Sequence, residues 1–377
     1  MLIVVASTFS SSPLESVFKE TLCARGGEHR VELAQYALLP QFLLAPQALY
    51  PGEAVGAAVV LIRVEDRLKM ASPTLAPDES RRILESYVEE IVAQLRVASA
   101  WGIPLFAICC PSRGHVATKR KLASLTTALT ATAEARIREL PGVRSLAWAD
   151  VEKRLPPSST IDDVGADKWG QVPFSEECFD ELGRFLGEQI ALSSENATMP
   201  PTAIPDASRV FDDYLRALDV KVDVVIAGPE LRSSVDRLHV VVSAFNTMGV
   251  SKLTQDDPLG EGLRNGRIQP WLVHVRDSVG DYGASGVVLS STSERTFHVE
   301  SFVLGCPVLG KRVEGAVLAA LADVAREAGC DQLAVHFRRT DRNELAQRFV
   351  DRLSRDTSAS SSNVVIVPLD AIAGALR

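Results

Sequence analysis

FVLGCPVLGKRVEGAVLAALADVAREAG, residues 302–329, decides how the second half of this chain is read. An apolar run stops at Gly305, and Pro307 and Gly310 break the chain after it. From Val313 the apolar positions fall at Ala316, Val317, Ala320, Leu321, Val324 and Ala328. Steps of three and four predict a helix over 313–328 with one buried stripe, and Gly329 stands where a left-handed cap belongs. The stretch is a strand, a glycine turn and a helix. A helix N-terminus after such a turn offers unpaired N–H groups and a partial positive charge, which suit a pyrophosphate; Lys311 and Arg312 add full charges. The same turn also serves simply to reverse the chain so that the helix packs on its sheet. The residues alone leave both readings open.

Working outward, WLVHVRDS (271–278), SGVVLSS (285–291) and TFHVESFVL (296–304) read as strands before the turn. DQLAVHF (331–337), a helix near 342–353 and NVVIVPL (363–369) follow it, and helices near 209–218 and 229–249 precede the group. Residues 1–193 have a different grammar. LIVVAS (2–7), AAVVLIRV (57–64), PLFAICC (104–110) and VRSLAW (143–148) are short, nearly continuous apolar runs, as in strands buried on both faces. Between them lie a helix capped by Asp78 and running to about Ser99, and another near 118–139; a helix over 176–192 capped by Ser175 follows. This alternation implies an α/β domain with a parallel sheet and helices on both faces. SSENATMPPTAIPDA (193–207) marks a linker over about 194–208 between domains at 1–193 and 209–377, and DTSASSS (356–362) reads as a loop.

Of 377 residues, 46% are hydrophobic and 23% charged, with a net charge of −8, as in soluble globular proteins. The acidic balance argues against nucleic-acid binding, which needs a basic surface. The six cysteines show neither C-x-x-C nor metal-site spacing, so reduced thiols and no metal are expected. No apolar run approaches the roughly 20 residues of a membrane span, and MLIVVASTF lacks the basic start of a signal peptide. The expectation is a cytoplasmic protein without a membrane partner.

The element order around the turn resembles the GNAT-type acyltransferase fold, in which this turn grips the pyrophosphate of an acyl-CoA. The usual signature is Arg or Gln, two residues, Gly, one residue, then Gly or Ala. Here Pro307, Gly310 and Arg312 hold those places, so two of the three depart. A closer resemblance is to the C-terminal, GNAT-like part of the FkbH-like family. It is carried by Phe245-Asn246, by Asp277 through Gly280-Asp281-Tyr282-Gly283, by Phe302 through Glu314, and by Thr340 and Asn343. AST (6–8), VLIRVED (60–66) and CCPS (109–112) are similar to the SGNH-like domain of longer family members. The resemblance implies an SGNH/flavodoxin-like sheet followed by a GNAT-like α/β domain. It also implies transfer of acyl units held as phosphopantetheine thioesters on carrier proteins, in natural-product biosynthesis. The phosphatase domain that longer members carry between these halves, with its Asp-x-Asp-x-Thr motif, has no counterpart in this sequence.

Candidate residues follow from both sources. Ser7 and Thr8 end the first strand, where a hydrolase nucleophile would stand, but 162–175 supplies Asp163 and Asp167 and no histidine. Asp236 and His239 have the right spacing in the wrong domain. An unaided hydroxyl is a weak nucleophile, so the first domain is expected to bind and not to hydrolyse. His298 and Glu300 share a strand face with Phe302 and are candidate bases, the other reading being a solvated pair. Cys306, near a helix N-terminus and two cations, is a candidate acyl acceptor or else a small core thiol. Gly305, Leu309, Gly310, Lys311, Arg312 and Val313 would hold an acyl-CoA or acyl-phosphopantetheine donor. Its arm is expected on the open edge between strand 296–304 and the next strand, with N–H groups near Gly305 as oxyanion donors. Phe245, Asn246, Asp281 and Tyr282 would line the small-molecule acceptor site. Arg338, Arg339 and Arg342, with Arg348 and Arg352, form a basic cluster that would dock an acidic acyl or peptidyl carrier protein, or else a solvated helix face. The leading expectation is acyl transfer to a small acceptor. The rivals are a non-catalytic module that binds a carrier protein or partner enzyme, and a scaffold recruited to another reaction on a small polar intermediate.

Overall fold

The computed structural model describes the chain except residues 27–28, 51, 71–74, 113–121, 195–206, 229–234, 236–237, 239–244, 251–252, 255–256, 356–359, 362 and 376–377. Most of the expected linker 194–208, the Asp236/His239 pair and most of loop 356–362 lie outside the described residues. The chain forms two compact units, Met1–Arg216 and Ala217–Arg377. The helix Ala207–Leu218, expected at the start of the second domain, falls mainly in the first unit, where Phe211 is buried against Leu44 and Ala45.

In the first unit, β1 (Leu2–Ser7), β2 (Arg30–Leu33), β3 (Val55–Ile62), β4 (Leu105–Cys109) and β5 (Val143–Leu146) form one sheet in the order β2-β1-β3-β4-β5. Every pairing is parallel. The apolar runs explain this: β1 and β4 are buried along their whole length, so neither face has room for a polar alternation. Phe18, Leu22, Phe179, Leu182 and Leu186, from the helices Glu15–Ala24 and Glu176–Ser194, share a core with Ile3, Val5, Val59 and Leu61. Ser175 caps the later helix through Cys178 N–H, as expected. The helix Pro77–Ala98 instead starts one residue before Asp78, with no side-chain cap, and Asp78 contributes only its charge to the first turn. Strand order reverses between β1 and β3, which is where doubly wound sheets open a crevice at their carboxyl ends.

The second unit contains β6 (Lys221–Ile226), β7 (Phe245–Asn246), β8 (Gln269–Arg276), β9 (Asp281–Ser293), β10 (Thr296–Leu304), β11 (Gln332–His336), β12 (Ser360–Ser361) and β13 (Val364–Pro368). They make a mixed sheet in the order β12-β13-β11-β10-β9-β8-β6, with β7 added beside β10. Among the described strand pairs of this unit only β10 and β11 run parallel, and the helix Val313–Glu327 makes the crossover that a parallel pair needs. Its end is a Schellman cap. Gly329 has φ +76°, Cys330 N–H reaches Ala325 O at 2.9 Å, and Gly329 N–H reaches Arg326 O at 3.0 Å. The buried face is turned from the stripe read in the sequence. Val313, Val317 and Leu321 are buried as expected, but Leu318, Ala322 and Ala325 join them in place of Ala316 and Ala320. A leucine removes more apolar area from water than an alanine, and the helix turns to bury it.

Candidate functional site

Where β10 and β11 part, the second unit has a fork. The two strands pair only from Thr296/Gln332 to Val299/Val335. At that point β10 also slips register against β9, between Val299 and Ser301, so that Glu300 sits at a bulge. A bulge re-aims a side chain and interrupts the ladder locally. His336, the last residue of β11, comes two residues after Ala334, the register partner of His298, and so lies level with Glu300.

Three ionisable side chains meet there. His298 Nδ1 lies 3.1 Å from His336 Nε2, and His336 Nε2 lies 3.8 Å from Glu300 Oε2. The hydroxyls of β9 hold the outer ends. Ser291 Oγ donates to Glu300 Oε1 at 2.6 Å, and Ser293 Oγ is 2.9 Å from His298 Nε2. All three are half-buried. Burial pushes the His336 pKa below its ordinary value; the Glu300 carboxylate opposes this and His298 adds to it. His336 is therefore a neutral imidazole at neutral pH, able to accept a proton and pass it toward His298. The sequence marks His298 and Glu300 as candidate bases, and His336 only as the start of the basic run that continues through Arg338, Arg339 and Arg342. The signal for His336 was its place next to the end of the apolar run DQLAVHF, which forms the neighbouring strand.

Beyond the fork the edge of β10 is not open. β7 pairs antiparallel with it, Asn246 against Val303 and Phe245 against Leu304. Thr247 extends this pairing. Its N–H donates to Phe302 O at 3.0 Å, its Oγ1 accepts from Phe302 N–H at 3.0 Å, and its carbonyl accepts from Arg338 N–H at 2.9 Å. Residues 245–247 thus fill the gap between the diverging strands, and the edge expected to be open for a thioester arm has its hydrogen-bonding groups already taken in this structure. Phe245 and Asn246, expected in the acceptor site, are both 2% exposed. Phe245 packs edge-on to Phe302 at 5.1 Å and lies 5.6 Å from Phe349, while Asn246 closes a turn through Gly249 N–H and Val250 O. Asn343, fully buried, ties the arrangement together by donating to Asn246 O and Arg338 O, 2.9 Å each.

The glycine turn is likewise engaged from within. Gly305 N–H donates to Ser285 O at 2.7 Å, so it is not a free oxyanion donor, and a Cβ there would stand 3.2 Å from the same oxygen. Cys306, Pro307 and Val308 form a short 3-10 turn, with Cys306 half-buried; Leu309 and Val313 are core residues at 2% and 0% exposure. Gly310 and Arg312 both adopt left-handed backbone, φ +72° and +58°. Lys311 Nζ lies 2.8 Å from Asp277 Oδ2 and 2.6 Å from Tyr282 OH, and that hydroxyl donates to Asp277 Oδ2 at 2.9 Å. Asp277 has a fully buried side chain, and the ammonium is its counter-charge. Asp281 accepts from Gly283 N–H at 2.8 Å and shapes the β8–β9 turn. In the basic cluster, Arg339 is paired with Asp351, Arg348 with Glu344 and Arg352 with Glu314, while Arg338 and Arg342 are exposed.

In the first unit the crevice at the end of β1 and β3 is filled by charge. Arg63, fully buried, sits against Asp66 and Asp167 at 2.6 and 2.5 Å, with Glu65 at 3.6 Å, and Lys69 bridges Asp66 and Asp167 at 3.1 and 2.6 Å. Thr8 Oγ1 donates to Asp66 Oδ2 at 2.7 Å, and Ser7 Oγ donates to Phe9 O at 2.5 Å. Burial disfavours an ionised Asp167, yet Arg63 and Lys69 hold its carboxyl well below the usual carboxylate range. Asp167 thus orients cations and no base, and Asp163 caps the helix Val164–Gly170 through Ala166 N–H. Among the described residues no helix is long and apolar enough to cross a membrane, and no group of three or more His, Cys, Asp or Glu could hold a metal ion.

No protein-family model matches the chain, and no curated protein matches it. Solved structures do. The N-terminal part of a Bacteroides fragilis protein, a part containing a phosphatase domain, is 11% identical over 52% of this chain and 52% of its own, with a TM-score of 0.42. The present chain therefore spans about half the length of that structure. A GNAT-family acetyltransferase from Staphylococcus aureus Mu50 is 9% identical over 40% of this chain and 99% of its own, at a TM-score of 0.30. N-acetylglutamate synthase from Neisseria gonorrhoeae, complexed with coenzyme A and L-arginine, is 11% identical over 97% and 94%, at a TM-score of 0.25.

Proposed function

We propose that the second unit transfers an acyl group from a phosphopantetheine-type thioester, carried by CoA or by an acyl or peptidyl carrier protein, to a small polar acceptor. The observation that carries this reading is the cluster of His298, Glu300 and His336 at the fork of the parallel pair, on the strand that leads into the glycine turn and its helix. In the reaction the acceptor nitrogen or oxygen attacks the thioester carbon as the C–S bond breaks. Neutral His336 takes the acceptor's proton, and the departing thiolate recovers one from the His298–His336 pair. Cys306 is not needed for direct attack. The exposed Arg338 and Arg342 follow β11 and would meet the acidic surface of a carrier protein. The FkbH-like resemblance suggests natural-product biosynthesis as the setting.

The test is thiol release from acetyl-CoA and from an acetylated carrier protein, against a panel of small amines and hydroxy acids. His336→Gln should lower the rate about 100-fold, the ordinary worth of a positioned base. A variant as fast as the parent would remove the cluster from the mechanism. The second reading, a non-catalytic binding module, is favoured by the filled β10 edge and by the pairing of Lys311 with Asp277. It predicts no thiol release and a stable complex with a carrier protein that weakens when Arg338 and Arg342 are reversed in charge.

A further inference from the structure

We infer that residues 245–247 are an internal plug that occupies the place of the thioester arm and must leave the fork before a donor binds. This rests on the acyl-transfer reading. A phosphopantetheine arm is an extended chain with two amide groups, so it binds protein as a short strand does, by N–H and C=O groups laid along a free strand edge. The one place where β10 parts from its parallel neighbour is occupied by an extended segment that uses those same groups. Asn246 and Phe245 pair with Val303 and Leu304, and Thr247 bonds both to Phe302 on one side and to Arg338 on the other.

The plug is knit into a unit. The Asn246 side chain links Gly249 N–H and Val250 O, and Gly249 adopts φ +62° against Thr340. Outside Phe245, what holds this unit in the fork is polar: the Thr247 bonds and the donation from Asn343 Nδ2 to Asn246 O. A donor's amides can take over the β10 bonds as the plug gives them up. The exchange then leaves few polar groups unpaired, and opening is a shift between two satisfied states and not an unfolding. Phe245, held between Phe302 and Phe349, is the end about which the segment turns.

Donor affinity is set by the fraction of molecules that are open, because the apparent Kd equals the intrinsic Kd divided by that fraction. Thr247→Val keeps the shape of the side chain and removes the acceptor of Phe302 N–H. The loss of that one hydrogen bond should raise the open fraction, and lower the apparent Kd, about tenfold. The experiment is calorimetric titration of the full chain and of Thr247→Val with CoA and with S-acetyl-phosphopantetheine. Tighter binding to the variant, by about tenfold, is the expected result. Equal affinity for both proteins overturns the plug and leaves acyl transfer standing. Binding to neither protein overturns the donor reading and the plug with it. Hydrogen exchange on the unaltered chain gives a second measurement, independent of the variant's folding. Saturating CoA should speed exchange at the Thr247 amide, and unchanged protection there while CoA is bound refutes the plug.

Discussion

Replacing Asp167 by asparagine tests whether the buried charge network of the first unit is a structural lock. Asp167 is 1% exposed, and its Oδ1 accepts from Arg63 at 2.5 Å and Lys69 at 2.6 Å. An amide of the same shape keeps an acceptor but loses the charge. Two bonds between opposite charges, worth about 1.5–3 kcal/mol each, lose the anionic partner and weaken toward the roughly 0.5–1.5 of an uncharged bond. Glu65 and Asp66 remain to balance Arg63 and Lys69, so no cation is stranded and the larger penalty of a broken buried pair does not apply. The expected loss is about 2–3 kcal/mol at neutral pH. The pH dependence carries a sign of its own. The folded state holds the Asp167 carboxyl below its unfolded value, so its contribution is complete above about pH 4–5 and is lost as pH falls further. Urea unfolding followed by circular dichroism, at pH 7.5 and in steps down to pH 3, reads both effects. A loss below about 0.5 kcal/mol at neutral pH, or a deficit that does not shrink in acid, refutes the lock.

Further outcomes follow from the second unit. Lys311→Met leaves the buried Asp277 carboxylate without its cation and should cost about 3 kcal/mol in a thermal melt, whereas an exposed phosphate-binding lysine would cost almost nothing. Arg312→Gly relieves left-handed backbone at the helix N-terminus and should raise stability by up to about 1 kcal/mol; a loss would show that the arginine side chain holds the turn. Burial lowers the His336 pKa, so the folded state resists its protonation and stability should fall as pH drops below about 6.5. His336→Gln should flatten that slope between pH 7 and 5, and an unchanged slope would assign it to other groups.

The local grammar of the chain was legible, and its non-local pairings were not. The glycine turn, the Schellman cap at Gly329 and the parallel sheet of the first unit all rest on short-range patterns of apolar spacing and turn residues. The helix face at 313–328 was read one step off because periodicity counted alanines equally with Leu318. β7 is two residues long and pairs with residues more than fifty positions away, so nothing around Phe245 announces a strand. The motif resemblance drew attention to Phe245 and Asn246, but as acceptor-site residues, and the structure makes them part of the fork's filling. The meeting of His336 with His298 became visible only when β11 was set beside β10, since their separation in sequence carries no signal. Arg63 did have one: a lone arginine at the end of an apolar strand, followed by two acids. Asp167, about a hundred residues on, is marked in the sequence only by its place in 162–175, and nothing there announces its pairing with Arg63.

The measurement that tests the central claim most directly is a titration of the imidazole proton resonances of His298 and His336 with S-acetyl-phosphopantetheine and with CoA. Assignment comes from His298→Gln and His336→Gln. A thioester bound at the fork should shift both resonances with one saturation curve, and the acetylated ligand should shift them more than the free thiol. Saturable binding that leaves both histidines unmoved would place the donor elsewhere and contradict acyl transfer at this cluster.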